Sequence, residues 1–245
     1  MLPFFRNSSK RLFTIAALIP AVILLSGSLK NGCCEKEFFN DRRAVVIIDP
    51  GHGGAETGIT GPLGLNEKDI ALNMAQLLKT VLNDLYTVRL TRTGDYNVDI
   101  YERGSLANKE KGDLFISLHI GSCPRNGDQD ITLFLYSNQS VVRDIDDENT
   151  MENGNPWSKV QLHHKTDGKK AAFLVKQALG ESNPQVFVSL QHAPIALLKG
   201  IDMPSMLVEI GCLSSHSGEK KLRDNKLMSQ YMTAIAHGID RFLKK

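Results

Sequence analysis

Three short runs of this chain are apolar without any alternation: "AVVIID" at 44–49, "DLFISLH" at 113–119 and "PSMLVE" at 204–209. A strand with one face in water alternates polar and apolar residues with a period of two, so runs like these belong to strands covered on both faces. Helices provide that cover when a sheet is mostly parallel. The stretches between the runs agree. "NEKDIALNMAQLLKTVLNDL" sets Ile70, Met74, Leu77, Val81 and Leu85 three or four apart, behind Asn66 as a helix cap and Glu67 and Asp69 as first-turn acids. "DIYERGSLANKEKG" reads as a short helix ended by Gly112, and "KKAAFLVKQAL" as another. "NKLMSQYMTAIAHGIDRFLKK" carries a stripe of Leu227, Tyr231, Ile235, Ile239 and Phe242. "YTVRLTR" and "ITLFLYS" read as further strands. The expected fold class is α/β, a single domain with a mainly parallel twisted sheet flanked by helices on both faces.

A hydrophobic content of 42% over 245 residues is enough for one sizeable core, placed here at 44–245. Residues 1–28 differ from the rest. They carry Arg6, Lys10 and Arg11 without an acid, then the apolar run "TIAALIPAVILL", then the small residues "SGS", which is the layout of an export signal. The alternative is an uncleaved anchor, in which case the membrane is met only through this segment; the run is short for a span and is interrupted by Pro20. Lys30 and Asn31 stand where a lipoprotein signal ahead of Cys33 would need small or apolar residues. Residues 29–43 are charged and aperiodic and read as a linker. The expected location is therefore exported: the periplasm first, the cell wall or extracellular space as alternatives. Lys and Arg total 29 against 27 Asp and Glu, so no global charge would gather nucleic acid, and no nucleic-acid partner is expected.

Four cysteines do not make a disulfide framework for a domain this large, although Cys123 and Cys212 could pair in an oxidising compartment. Residues 138–167 break the strand–helix rhythm, with Asp144, Asp146, Asp147, Glu148 and Glu152 followed by Trp157, His163 and His164. They read as an inserted loop, either disordered or a lid beside the site.

Ligands in open α/β sheets gather at the carboxyl ends of the strands. His52 follows the first apolar run, His119 ends the second and Glu209 ends the third, while Glu67 opens the first helix. Two imidazoles and one carboxylate with a coordination position left over make the shell of a catalytic zinc, and a further carboxylate can serve as general base. The plain readings are a satisfied strand-end histidine and an acid favoured by the helix dipole. Glu209 is harder to dismiss, because a carboxylate at the end of an apolar strand needs a metal, hydrogen bonds or a proton to compensate its burial. Spacing alone does not choose between Glu56 and Glu67 as ligand.

The runs "VVIIDPGHGGAETG", "GLNEKDIALNMAQLL", "VRLTRTGDYNVDIYERGSLAN", "GDLFISLHI", "APIALLKGIDMPSMLVEIGCLSS" and "YMTAIAHGIDRF" together resemble the zinc-dependent N-acetylmuramoyl-L-alanine amidases of family 3. The resemblance covers most of residues 44–243 in the family's order. It implies His52, Glu67 and His119 as ligands of Zn2+ and Glu209 as the catalytic acid/base. It also implies the amide between N-acetylmuramic acid and L-alanine of peptidoglycan as substrate, cut in wall remodelling or cell separation. Two departures stand out. Relatives commonly continue the second histidine as "HAN" where this chain has "HIGSCPRNG", and have phenylalanine where Cys212 stands. In some relatives a helical insertion blocks the site until an activator binds, so a protein activator joins peptidoglycan as an expected partner. The rival readings are an inactive peptidoglycan-binding or regulatory module and a zinc hydrolase of the same fold acting on another peptide bond.

Overall fold

The computed structural model describes residues 42–122, 131–137 and 156–244, with side chains from 159 in the last stretch. The expected signal at 1–28, nearly all of the expected linker at 29–43, Cys33, Cys34, Cys123 and residues 138–155 lie outside the described residues.

Within the unit Asp41–Lys245 the described strands are β1 (Val45–Pro50), β2 (Thr87–Leu90), β3 (Leu114–Ile120), β4 (Ile131–Tyr136), β5 (Val188–Ala193) and β6 (Ser205–Ile210). They form one sheet in the order β2-β1-β3-β6-β4-β5. The pairs β1–β2, β1–β3, β3–β6 and β4–β5 are parallel, and β4 runs antiparallel to β6. The non-alternating runs fall in the middle of the sheet, where β1 is buried at every position. β4, nearer the edge, alternates between buried and half-buried residues.

The helices are α1 (Glu67–Leu82), α2 (Ile100–Lys109), α3 (Pro156–His163), α4 (Lys165–Ser182), α5 (Ala196–Lys199), α6 (His216–Leu222) and α7 (Asn225–Leu243). α7 packs on α1 and α4, and together they cover Val46, Ile48, Ile116, Leu118, Met206 and Val208 on one face. The other face is smaller: Val45, Ile47, Phe115 and Leu207 meet Ala107 of α2 and Leu197 and Leu198 of α5. The α7 stripe is buried as expected at Tyr231, Ile235, Ile239 and Phe242, each side chain contributing about 1.5–3 kcal/mol on removal from water. Asp224 caps this helix by accepting from the Lys226 and Leu227 N–H groups, and Asp99 with Glu102 forms a capping box on α2.

Two expectations need correction. In α1 the buried face is Ile70, Ala71, Met74, Ala75, Leu78 and Leu82, whereas Val81 and Leu85 are exposed. Small alanines occupy the turns that touch the sheet, so the larger residues beside them misphase the stripe. The segment 138–167 is also not one irregular insertion, because 156–163 is helical and α4 already begins at Lys165. Gln161 of α3 ties it down by donating to the carbonyls of Ile201 and Met203. Among the described residues no helix is long and apolar enough to cross a membrane.

Candidate metal centre

Parallel strands direct their carboxyl ends to one edge, and here that edge collects the titratable residues. His119 is the penultimate residue of β3 and Glu209 of β6, and the register sets them side by side. His52 sits two residues past β1, and Glu67 is the first residue of α1. Its cap Asn66 has extended backbone but makes no side-chain cap bond; its side-chain oxygen instead accepts from the Thr60 hydroxyl.

Glu67 is the centre of the cluster. Its Oε1 lies 3.0 Å from His119 Nδ1 and 3.2 Å from His52 Nε2, and also accepts from the Ile120 N–H at 3.0 Å. The second oxygen accepts from the Ile59 N–H at 3.0 Å. Burial opposes ionisation of this carboxyl, yet the bonds from His119, His52, Ile120 and Ile59 outweigh it and hold it well below the usual carboxylate range. The two imidazole rings meet edge to face with centroids 4.9 Å apart. One donor atom from each of His52, Glu67 and His119 lies within 4.8 Å of the others, so the three can hold a metal ion.

Backbone without side chains makes room for the cluster. A Cβ on Gly51 would lie 2.6 Å from His119 Nε2, and one on Gly58 would lie 2.6 Å from Glu67 Oε2 and 2.7 Å from His52 Cδ2. Two nitrogens and one carboxylate oxygen, converging in a space kept by missing Cβ atoms, fit a zinc ion in ligand type and number.

Glu56 and Glu67, equal in spacing, are unequal in place. Glu67 is 3% exposed, whereas the Glu56 side chain is 58% exposed and bonds the other ring nitrogen, His52 Nδ1, at 2.9 Å. Carboxylates in that outer position orient metal-binding histidines and fix their tautomer. Glu209 stands beside the cluster without joining it. Burial raises its carboxyl above the ordinary value, His119 works in the opposite sense, and Glu67 adds to the rise.

Other expected residues lie apart from the centre or outside the described residues. Cys212 is buried and disulfide-bonded, while its suggested partner Cys123 is not described. Ser214, two residues on, is exposed. Missed by sequence reasoning were Arg92, Arg103 and Glu219. Glu219 is buried in α6 and accepts from the Leu63 and Leu65 N–H groups and from Arg223, pinning the loop that leads into Glu67.

A protein-family model described as N-acetylmuramoyl-L-alanine amidase matches residues 46–241. The chain belongs to this family. It is 29% identical over 223 residues to the N-acetylmuramoyl-L-alanine amidase AmiC of Neisseria meningitidis serogroup B, covering 83% of this chain and 54% of that one. It is 31% identical over 222 residues to the probable amidase AmiB of Haemophilus influenzae, covering 80% of this chain and 51% of that protein. The chain therefore spans about half the length of these two family members. Among solved structures, the amidase AmiC2 of Nostoc punctiforme shares the fold with a TM-score of 0.66 at 24% identity, over 82% of this chain and 98% of that one. The sheet-edge cluster of His52, Glu67 and His119 thus lies in a chain of the amidase family.

Proposed function

We propose that this chain is an exported zinc amidase that hydrolyses the bond between the lactyl group of N-acetylmuramic acid and L-alanine in peptidoglycan. The observation that carries the reading is the buried Glu67 carboxylate converging with His52 and His119, one strand from the half-buried Glu209. His52, Glu67 and His119 would hold the metal, and a bound zinc would supply Lewis acidity toward the scissile carbonyl and toward water near neutral pH.

The rest of the chemistry falls to Glu209. It accepts a proton from the attacking water and passes it to the alanine nitrogen as the C–N bond breaks, because an amide leaves poorly as an anion. The products are a free carboxyl on the lactyl group and a peptide with an L-alanine amino terminus. No covalent enzyme intermediate is needed. Residues 1–28 support export, and the disulfide at Cys212 suits an oxidising compartment such as the periplasm. A protein activator belongs to the proposal on the family resemblance alone.

Incubation of the purified chain with peptidoglycan tests the reading. Peptides beginning with L-alanine and intact glycan strands are expected; chelation should abolish their release and Glu209→Gln should lower it by about 10²–10⁴. New reducing sugar ends or released D-alanine would refute it. Zinc and wall binding without product at any enzyme concentration would favour the inactive module instead.

A further inference from the structure

The residue that carries the first imidazole has an unfavourable backbone. His52 has φ +60°, in the left-handed region where a β-carbon crowds the following carbonyl, and it shares that region with Gly54 at +59°. A metal ligand in such a conformation stays put only if its surroundings over-determine it.

Two buried arginines do so. Arg103 donates from Nη1 to the Pro50 carbonyl at 2.7 Å and from Nη2 to the His52 carbonyl at 2.8 Å. Arg92 donates from Nε to the Pro50 carbonyl at 3.0 Å and from Nη2 to the Gly51 carbonyl at 2.8 Å. Every carbonyl from Pro50 to His52 is thereby held by a guanidinium.

Asp49 anchors the arrangement. It is fully buried, and its carboxylate accepts from Arg103 Nη1 at 2.8 Å, the Thr91 hydroxyl at 2.5 Å and the Ser117 hydroxyl at 2.7 Å. Asp49 bonds to Arg103, and Arg103 bonds to the His52 carbonyl; the outer ring nitrogen is left to Glu56. A planar guanidinium can serve Asp49, Pro50, His52 and also the Val98 carbonyl at 2.9 Å at once, which a lysine ammonium on a flexible stem cannot.

We infer that Arg103, locked by Asp49, is a positioning residue that sets the His52 imidazole for the metal through its backbone carbonyl. The inference rests on the proposed zinc function, and the experiment separates the two. Zinc dissociation constants are measured by competition with a chelating dye for wild type, His119→Ala, Arg103→Lys and Arg103→Gln. Cobalt-substituted proteins report the ligand field by their visible absorption, and thermal melts of the metal-free proteins report the fold.

For Arg103→Lys and Arg103→Gln, zinc affinity is expected to fall about 10- to 100-fold, with a shifted cobalt spectrum and cooperative melting retained. Binding within twofold of wild type and an unchanged cobalt spectrum overturn the inference. Affinity lost only in step with lost cooperative folding assigns Arg103 to stability and overturns it as well. A wild type that takes up no zinc, or takes it up equally in His119→Ala, refutes the proposed function instead.

Discussion

Gly51→Ala isolates the steric fit of the cluster from every other effect. Gly51 is outside the left-handed region, so alanine can adopt its backbone, and the substitution adds one methyl group. That methyl carbon would stand 2.6 Å from His119 Nε2 and 2.7 Å from Nδ1, so the ring must retreat by roughly 1 Å to reach ordinary contact. It has little room to do so, because Nδ1 faces Glu67, whose oxygens are held by the Ile59 and Ile120 N–H groups. Overpacking of this kind costs about 1–3 kcal/mol. For a domain of this size that lowers the melting midpoint of metal-free protein by about 2–12 °C. A shift of this size in a catalytic group can also cost on the order of 100-fold in turnover. The assay pairs thermal melts with and without chelator and peptide release from peptidoglycan, using Gly200→Ala as control, since a Cβ there meets nothing within 4 Å. If Gly51→Ala melts, binds zinc and turns over within twofold of wild type, the close approach of backbone to His119 is not what shapes the site.

Glu209→Gln should keep zinc affinity while lowering turnover by about 10²–10⁴, the usual worth of a general acid/base, measured by single-turnover peptide release. Burial opposes ionisation of Glu219, but the Leu63 N–H, Arg223 and the Leu65 N–H hold its carboxyl below its ordinary 4.5. Its contribution is present in full above pH 4.5 and lost as pH falls through the lower pKa of the folded carboxyl, so the denaturation midpoints of wild type and Glu219→Gln should differ at pH 6 and draw together as the pH is taken progressively below 4.5. Ile239→Ala, fully buried in α7, should cost about 2–5 kcal/mol by urea denaturation with no change in substrate preference.

What could be read from the amino acids depended on how completely each element is surrounded. β1, β3 and β6 lie in the sheet interior, so their runs are uninterrupted and their ends mark His52, His119 and Glu209 directly. β5, "VSLQHA", lies at the edge with five half-buried residues, and its mixed polarity hid it. β4 reads as a strand, but its antiparallel direction depends on connections that no local pattern encodes. Glu56 and Glu67 were inseparable by spacing because burial, which distinguishes them, comes from β3 more than fifty positions along the chain. Arg92 and Arg103 escaped notice because arginine usually ends in water. The hint was Asp49, a carboxylate at the end of a buried strand that had to find cations somewhere.

The three members of the cluster are fastened to the molecule unequally. His119 lies within a central strand and Glu67 begins a helix that reaches into the main core, so neither can withdraw without opening the cooperative folding unit. His52 alone hangs on a turn. Exchange of a bound ion with solvent would therefore start by swinging out His52, and its rate would be governed by the Arg103 and Arg92 bonds to three consecutive carbonyls. For the proposed zinc, loading and unloading would be a local event at one loop, on a faster clock than unfolding of the strand and helix that carry His119 and Glu67.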